Sequence, residues 1–81
     1  QSELAVCENP GLSGLDRQMA AQFDSAMSRA NAQQRALLQR TRTRFLAYRE
    51  GCRSESCMAD AYRGRIREIG DIMAGRWQPP R

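Results

Sequence analysis

The sequence of 81 residues contains no histidine and no lysine, and its thirteen basic residues are all arginine. Without histidine there is no imidazole to act as a general base, to activate a serine or cysteine nucleophile, or to ligate a metal. Without lysine there is no amine for a Schiff base and no phosphate-binding lysine of the Walker type. These two absences exclude most enzyme classes, and we expect a protein that is not an enzyme.

Long apolar runs and aromatic side chains are also scarce. No stretch reaches the roughly 18 apolar residues of a transmembrane helix, so the sequence predicts no membrane span. The hydrophobic fraction is 41% and includes only two Phe, two Tyr and one Trp. A chain of this length forms one small domain with a modest core. We expect a single helical domain over residues 1–77 and a frayed tail over residues 78–81.

Three cysteines are present, Cys7, Cys52 and Cys57. A disulfide between two of them would stabilise so small a domain by about 2–4 kcal/mol and would indicate an oxidising compartment. Buried free thiols are the alternative. A zinc site is disfavoured because three thiolates without histidine leave the fourth ligand unsupplied, and we expect no metal and no cofactor.

Apolar residues recur at steps of three and four over residues 13–30, 32–51 and 55–76, which predicts three amphipathic helices. Asn9-Pro10-Gly11 and Gly14 indicate a turn before the first helix, and Ser13 with Asp16 resembles a capping box at its start. Gly51 is a plausible stop for the second helix, and Ser54 or Ser56 can cap the third. The predicted apolar faces comprise Leu12, Leu15, Met19, Phe23, Ala26, Met27 and Ala30, then Leu38, Thr41, Phe45, Tyr48 and Cys52, then Met58, Ala61, Tyr62, Ile66, Ile69, Ile72 and Met73.

Short connections between three such helices predict an all-α fold, a three-helix antiparallel bundle stapled by a disulfide. In this path the second helix ends where the first begins, which brings Cys52 and Cys57 close to Cys7. A Cys52–Cys57 bridge would join the second helix to the third, and a bridge from Cys7 would instead join the N-terminal segment to the same corner. We favour Cys52–Cys57 by a small margin.

Three of the arginines, Arg35, Arg42 and Arg49, fall on one stripe of the second helix at about 100° per residue. The stripe is a candidate site for an anionic envelope component such as lipopolysaccharide or anionic lipid, or it is an ordinary solvated face. Acidic residues interleave with the arginines and dilute the net charge of +4. No zinc-finger spacing, aromatic RNA-binding motif or basic-zipper seam is present, so a nucleic-acid partner is not favoured.

Arg65 falls inside the apolar arc of the third helix, where an unpaired charge would be expensive. We expect a carboxylate partner for it, Asp16 in the first place and Glu3 in the second. Together with Arg49, Asp16 and Arg65 are predicted to form a structural polar cluster.

The order of several short motifs resembles a family of small exported bacterial domains, the LprI-type lysozyme inhibitor family. The matching positions run from about residue 3 to residue 73. They are Cys7, Leu12, Leu15-Asp16 and Met19, then Arg44-Phe45-Leu46 and Arg49-Glu50-Gly51-Cys52, then Cys57-Met58, Tyr62 and Arg65-Ile66. Two departures stand out, since the family's further upstream cysteine is missing and its Gln-x-x-Trp reads Arg42 and Phe45 here.

The resemblance implies a helical, disulfide-bonded domain that is periplasmic or secreted. The chain begins at Gln1 without a start methionine, and we interpret it as a mature or excised form. The leading hypothesis is a non-enzymatic exported domain that binds a protein partner, with a lysozyme-type glycosidase as the partner that the resemblance implies. The alternatives are an anion-binding envelope module and a purely structural domain of a larger exported protein. The charge of +4 counts modestly against a basic lysozyme.

Overall fold

The computed structural model describes residues 10–79, which form three α-helices and contain no strand. Helix α1 spans Pro10–Arg29, α2 spans Ala32–Glu50 and α3 spans Glu55–Ala74. The predicted all-α class and the antiparallel three-helix arrangement are confirmed.

Helix α1 begins earlier than predicted. Pro10 is its first residue, where a proline fits because its fixed φ is helical and the first N–H groups have no intrahelical partner. The turn predicted over Pro10, Gly11 and Gly14 is therefore wrong, and Asn9 lies outside the described residues. Ser13 lies inside the helix, where its hydroxyl accepts a hydrogen bond of 3.1 Å from Arg17, so the predicted capping box at Ser13 is wrong as well.

Helix α2 has a complete capping box that the apolar periodicity did not reveal. The Asn31 side chain accepts a hydrogen bond of 2.8 Å from the backbone N–H of Gln34. The Gln34 side chain in turn accepts one of 2.9 Å from the backbone N–H of Asn31. Gly51 follows the last helical residue and donates its N–H to carbonyls of the final turn, which confirms the predicted stop.

Helix α3 begins and ends at recognisable residues. The Ser54 side chain accepts from the backbone N–H of Cys57 at 3.1 Å, which confirms the predicted N-cap. Gly75 has a φ of 76°, a left-handed conformation that glycine adopts without steric cost, and it ends the helix two residues before the predicted boundary. The chain then turns back so that Trp77 lies against the bundle.

Helix α3 is the central element of the bundle, because it packs along both α1 and α2, whereas α1 and α2 touch each other least. Residues from the start of α1, the end of α2 and the start of α3 pack together at one end. Residues from the end of α1, the start of α2 and the end of α3 pack together at the other. The chain therefore runs up, down and up, and one side of the α1–α2 pair is left open.

The core consists of two hydrophobic clusters, one at each end of the bundle. At the end that carries the chain reversal between α2 and α3, the buried residues are Leu12, Phe45, Met58, Ala61 and Tyr62. At the opposite end they are Ala26, Ala30, Leu38, Ile69 and Ile72, against which the half-buried Trp77 also packs. Met19 packs against both clusters and connects them along α1.

Two buried polar side chains, Thr41 and Arg65, lie at helix positions between the clusters. The Arg65 guanidinium donates hydrogen bonds to the Thr41 hydroxyl at 2.7 Å and to the carbonyl of Leu38 at 3.0 Å. The Thr41 hydroxyl donates to the carbonyl of Leu37 at 2.7 Å. These bonds give the buried groups partners and form a polar layer at mid-height of the bundle.

Cys52 and Cys57 form the disulfide, with their Cα atoms 5.5 Å apart. The predicted pairing is confirmed, and the bridge spans the short connection between α2 and α3. Cys7, the third cysteine, lies outside the described residues, as does Glu3.

Tyr48 was predicted on the apolar face of α2, and this prediction is wrong. Its side chain is 59% exposed, the one large hydrophobic residue of the described chain that is largely open to solvent. The buried face of α2 follows Leu38, Thr41 and Phe45, and Tyr48 lies beside a shallow surface depression shared with Asp60.

Candidate binding groove

A groove of about 620 Å³ runs along the open side of the bundle between α1 and α2. It lies where these two helices contact each other least, while α3 packs against both of them. Its lining residues are Asp16, Met19, Ala20, Phe23 and Asp24 from α1, Gln39, Arg42, Thr43, Phe45, Leu46 and Arg49 from α2, and Arg65 from α3. Two other depressions on residues 10–79 are smaller, at about 330 Å³ each.

The two walls of the groove carry opposite charges, and its floor is apolar. Asp16 and Asp24 lie on the α1 wall, whereas Arg42 and Arg49 lie on the α2 wall. The floor consists of side chains that also contact the hydrophobic clusters, namely Met19, Phe23, Phe45 and Leu46. A surface of this kind combines apolar contact area with charges that can orient a bound molecule.

Arg49 ties the two walls together at the disulfide end. Its guanidinium lies 3.8 Å from the Asp16 carboxylate, 3.2 Å from the Tyr62 hydroxyl to which it donates, and 5.9 Å from the centre of the Phe45 ring. Its Nε is buried and has no acceptor within residues 10–79. Arg49 is thus mostly engaged within the protein.

The pKa of Tyr62 is raised above the usual value of a tyrosine. Burial of the phenol is the main cause, and the hydrogen bond from Arg49 opposes it. The negative charge of Asp16 adds to the increase. Tyr62 therefore stays neutral and accepts the hydrogen bond from Arg49 at the disulfide end of the groove.

Arg42 is the exposed cation of the groove. Its guanidinium lies 5.9 Å from the centre of the Phe23 ring, within the range of a cation–π interaction. No carboxylate of the described chain forms an ion pair with it. Arg42 therefore presents an available positive charge beside an aromatic surface.

Arg65 forms the back of the groove, and its partner differs from the predicted one. It pairs with Glu68 at 3.0 Å, one turn further along α3, whereas Asp16 pairs with Arg49. The expectation of an Arg65–Asp16 pair is thus wrong, and the three residues of the predicted polar cluster do not form one network. Burial lowers the pKa of Arg65, while the hydrogen bond and charge of Glu68 oppose this shift.

Glu68 is itself shared among several donors. It accepts from Arg65, from the indole N–H of Trp77 at 3.0 Å and from Arg44, which is only half exposed. Sequence reasoning missed this carboxylate, although its position three residues after Arg65 places the two side chains on one helix face. Glu68 is the counter-charge of the polar layer.

The predicted stripe of Arg35, Arg42 and Arg49 does not act as one surface. Arg35 donates its Nε to the carbonyl of Met27 at 3.2 Å, so it binds the last turn of α1 and does not line the groove. Arg42 and Arg49 do share the groove wall, but only Arg42 is exposed. The structure thus brings two of the three together and separates the third.

Residues 10–79 contain no cluster of three or more cysteine or acidic side chains suited to a metal ion. None of the helices in this part of the chain combines the length and the apolar character needed to cross a bilayer.

No protein-family profile matches the sequence, and searches of curated proteins and of solved structures found no similar protein. The resemblance to the LprI-type family therefore stays a prediction. What defines this protein is its fold, a disulfide-bonded three-helix domain with a groove along one side.

The groove was not predicted from the sequence, although part of its pattern is visible there. Asp16, Ala20 and Asp24 recur every four residues on α1, so they lie on one helix face next to the apolar stripe. Asp24 and Phe23 were overlooked as groove residues because they lie at the edge of that stripe.

Proposed function

We propose that the chain is a non-enzymatic binding domain that receives a protein partner in the groove between α1 and α2. The observation that carries this proposal is the open groove of about 620 Å³ with an apolar floor and oppositely charged walls. A concave surface that residues 10–79 leave uncovered is suited to receive another molecule.

The proposed location is the periplasm or the cell exterior of a bacterium. The Cys52–Cys57 disulfide supports it, because disulfides form and persist in oxidising compartments. The resemblance to the LprI-type family supports it as well, with the same ordered motifs.

A lysozyme-type glycosidase is the first partner to test, on the basis of that resemblance. The net charge of +4 disfavours a basic lysozyme as a whole. The carboxylates of Asp16 and Asp24 on the α1 wall counter this at the groove itself, because they provide local negative charge beside an apolar floor.

The test is a turbidity assay of peptidoglycan lysis by lysozymes of several classes, with the domain added at stoichiometric concentrations. We expect lysis to slow, and we expect Ala20→Trp, which fills the groove without changing its charge, to abolish the effect. Ala21→Trp is the matched control, since Ala21 is exposed on the same helix but does not line the groove. Undiminished lysis with every class tested rules out lysozyme inhibition as the activity.

The second candidate is an anion-binding module for an envelope polymer or lipid. The exposed Arg42, which has no carboxylate partner in residues 10–79, favours it. Two observations disfavour it. Arg35 and Arg49 are engaged in contacts within the protein, and the α1 wall opposite Arg42 is acidic. If this candidate is correct, the domain should bind vesicles that contain anionic lipid or lipopolysaccharide, and the binding should weaken steeply as salt is added. Binding that does not depend on salt excludes it.

A further inference from the structure

We infer that the occupant of the groove is an amphipathic α-helix of the partner protein, with an acidic flank, a basic flank and an apolar stripe between them. This inference rests on the proposed function and specifies the chemistry of the partner. Each of its three parts follows from a separate property of the groove.

The helical form follows from the walls. Two helices of 20 and 19 residues border the groove, and residues 10–79 contain no strand whose edge could pair with an extended peptide. A helix satisfies its own backbone hydrogen bonds and can lie against an apolar floor without leaving polar groups unpaired. A fourth helix at the usual separation of about 8–10 Å would complete a four-helix bundle.

The apolar stripe follows from the floor. The half-buried Met19, Phe23 and Leu46 lie between the walls, with Phe45 buried beneath them. Residues of the partner at steps of three and four would cover these side chains along one helix face.

The two flanks follow from the charges of the walls. An acidic flank would meet Arg42, which has no carboxylate partner in the described chain, and the partly exposed Arg49. A basic flank would meet Asp16, whose side chain is 37% exposed, and the exposed Asp24. A uniformly acidic or uniformly basic helix would face repulsion from one of the walls.

Three synthetic peptides serve as probes, each a fluorescently labelled helix of about 18 residues, the length that spans roughly 27 Å. All share one leucine stripe. The first probe has glutamates on one flank and lysines on the other, the second has glutamates on both flanks, and the third has lysines on both. Binding to the full chain is measured by fluorescence anisotropy at low salt, where exposed charges are least screened.

We expect the mixed probe to bind about five- to tenfold more tightly than either uniform probe, because one wall of the groove repels each uniform probe. A tenfold difference in affinity corresponds to about 1.4 kcal/mol of binding free energy. Substituting Arg42→Glu makes the α2 wall partly acidic. It should weaken the mixed probe about fivefold and strengthen the lysine probe, two changes of opposite sign that loss of folding cannot produce.

Arg40→Glu is the matched control, because it makes the same charge change two residues earlier on α2, about 200° around the helix from Arg42. Arg40 is exposed and does not line the groove, so the order of the three probes should stay as in the unsubstituted chain. Circular dichroism of both variants checks that the helices are intact.

The inference is overturned if no probe binds the unsubstituted chain, if all three bind equally, or if Arg40→Glu changes the order as Arg42→Glu does. It is also overturned if sedimentation shows a dimer that the mixed probe dissociates, because the occupant is then a second copy of this chain. None of these results affects lysozyme inhibition measured independently, so a failure here can be told apart from a failure of the proposed function.

Discussion

Arg65 is a charged residue buried in the interior of the described part of this protein. Its side chain is 1% exposed, and its charge is balanced by Glu68 on the same helix face. A buried cation is tolerated only while its carboxylate remains, because its attraction to that carboxylate offsets the loss of hydration. The two residues should therefore respond differently to substitution.

We expect Glu68→Leu to lower the free energy of unfolding by about 3–5 kcal/mol, because it leaves the Arg65 guanidinium buried without a counter-charge. Arg65→Met should lower it by only about 1–2 kcal/mol, since Glu68 retains Arg44 and Trp77 as donors and the methionine fills the space. Urea unfolding measures both. Asp60→Leu is the control, because Asp60 forms only an exposed pair with Arg63 and should change stability by less than about 0.5 kcal/mol. Equal losses for Glu68→Leu and Asp60→Leu would contradict this account.

The raised pKa of Tyr62 predicts how the free energy of unfolding changes at alkaline pH. Its pKa is higher in the folded state than the value of about 10 in an unfolded chain, so the folded state retains the phenolic proton longer. The resulting stabilisation is complete below pH ~10 and is lost as the pH rises through the folded-state pKa. In an absorbance titration we expect a delayed phenolate component that Tyr62→Phe removes. If the phenolate absorbance that Tyr62→Phe removes develops at the pH of an unfolded tyrosine, burial does not raise the pKa of Tyr62.

At the scale of the helices, the positions of their ends are set by short polar motifs. Asn31 with Gln34 begins α2, Ser54 begins α3, and Gly75 in a left-handed conformation ends it. These residues satisfy backbone groups that a helix leaves unpaired at its termini.

Removing the Asn31 cap should lower the free energy of unfolding by about 1 kcal/mol, since the first N–H groups of α2 lose their acceptor. Asn31→Ala is compared with Gln33→Ala, an exposed position in the first turn of the same helix. The control should change stability by less than half as much, because alanine is a good helix former and no cap is lost. Thermal or urea unfolding measures both variants. If Asn31→Ala and Gln33→Ala lower the free energy of unfolding equally, the capping box does not stabilise the protein.

At the scale of the whole molecule, the disulfide compensates for a small core. The buried hydrophobic residues of the described chain form two clusters of five, and a core of this size leaves little margin against chain entropy. The bridge between Cys52 and Cys57 holds the corner at which the chain enters α3, the helix that contacts both others.

Reduction should lower the free energy of unfolding by about 2 kcal/mol, the chain-entropy estimate for a loop this short. Urea unfolding with and without reductant measures the loss, and the Cys52→Ser/Cys57→Ser double variant should be insensitive to reductant. Intact-mass analysis after alkylation should show two more labels when the protein is first reduced. Alkylation of both thiols without reductant would contradict the bridge.

The parts of the structure that were predicted are those that depend on local pattern. The spacing of residues such as Leu38 and Ile69 predicted the helices, and the burial of Arg65 followed from its place in the apolar arc. The groove was not predicted, because helical periodicity does not determine how closely α1 and α2 approach each other. The partner of Arg65 was sought on another helix, whereas the i,i+3 position of Glu68 provides it on α3 itself. Tyr48 was misplaced because its spacing fits the buried face, whereas its side chain lies at the edge of that face, beside the depression shared with Asp60.

The polar layer of Thr41 and Arg65 also limits the number of ways in which the three helices can pack. If α3 slid along α2 by one turn, about 5.4 Å, the guanidinium would move away from the Thr41 hydroxyl and the Leu38 carbonyl into a hydrophobic cluster. Leucine-like side chains would tolerate such a shift, since one apolar contact resembles another. The charged guanidinium at mid-height would lose both partners in such a shift, so the polar layer disfavours any other alignment of α3 against α2.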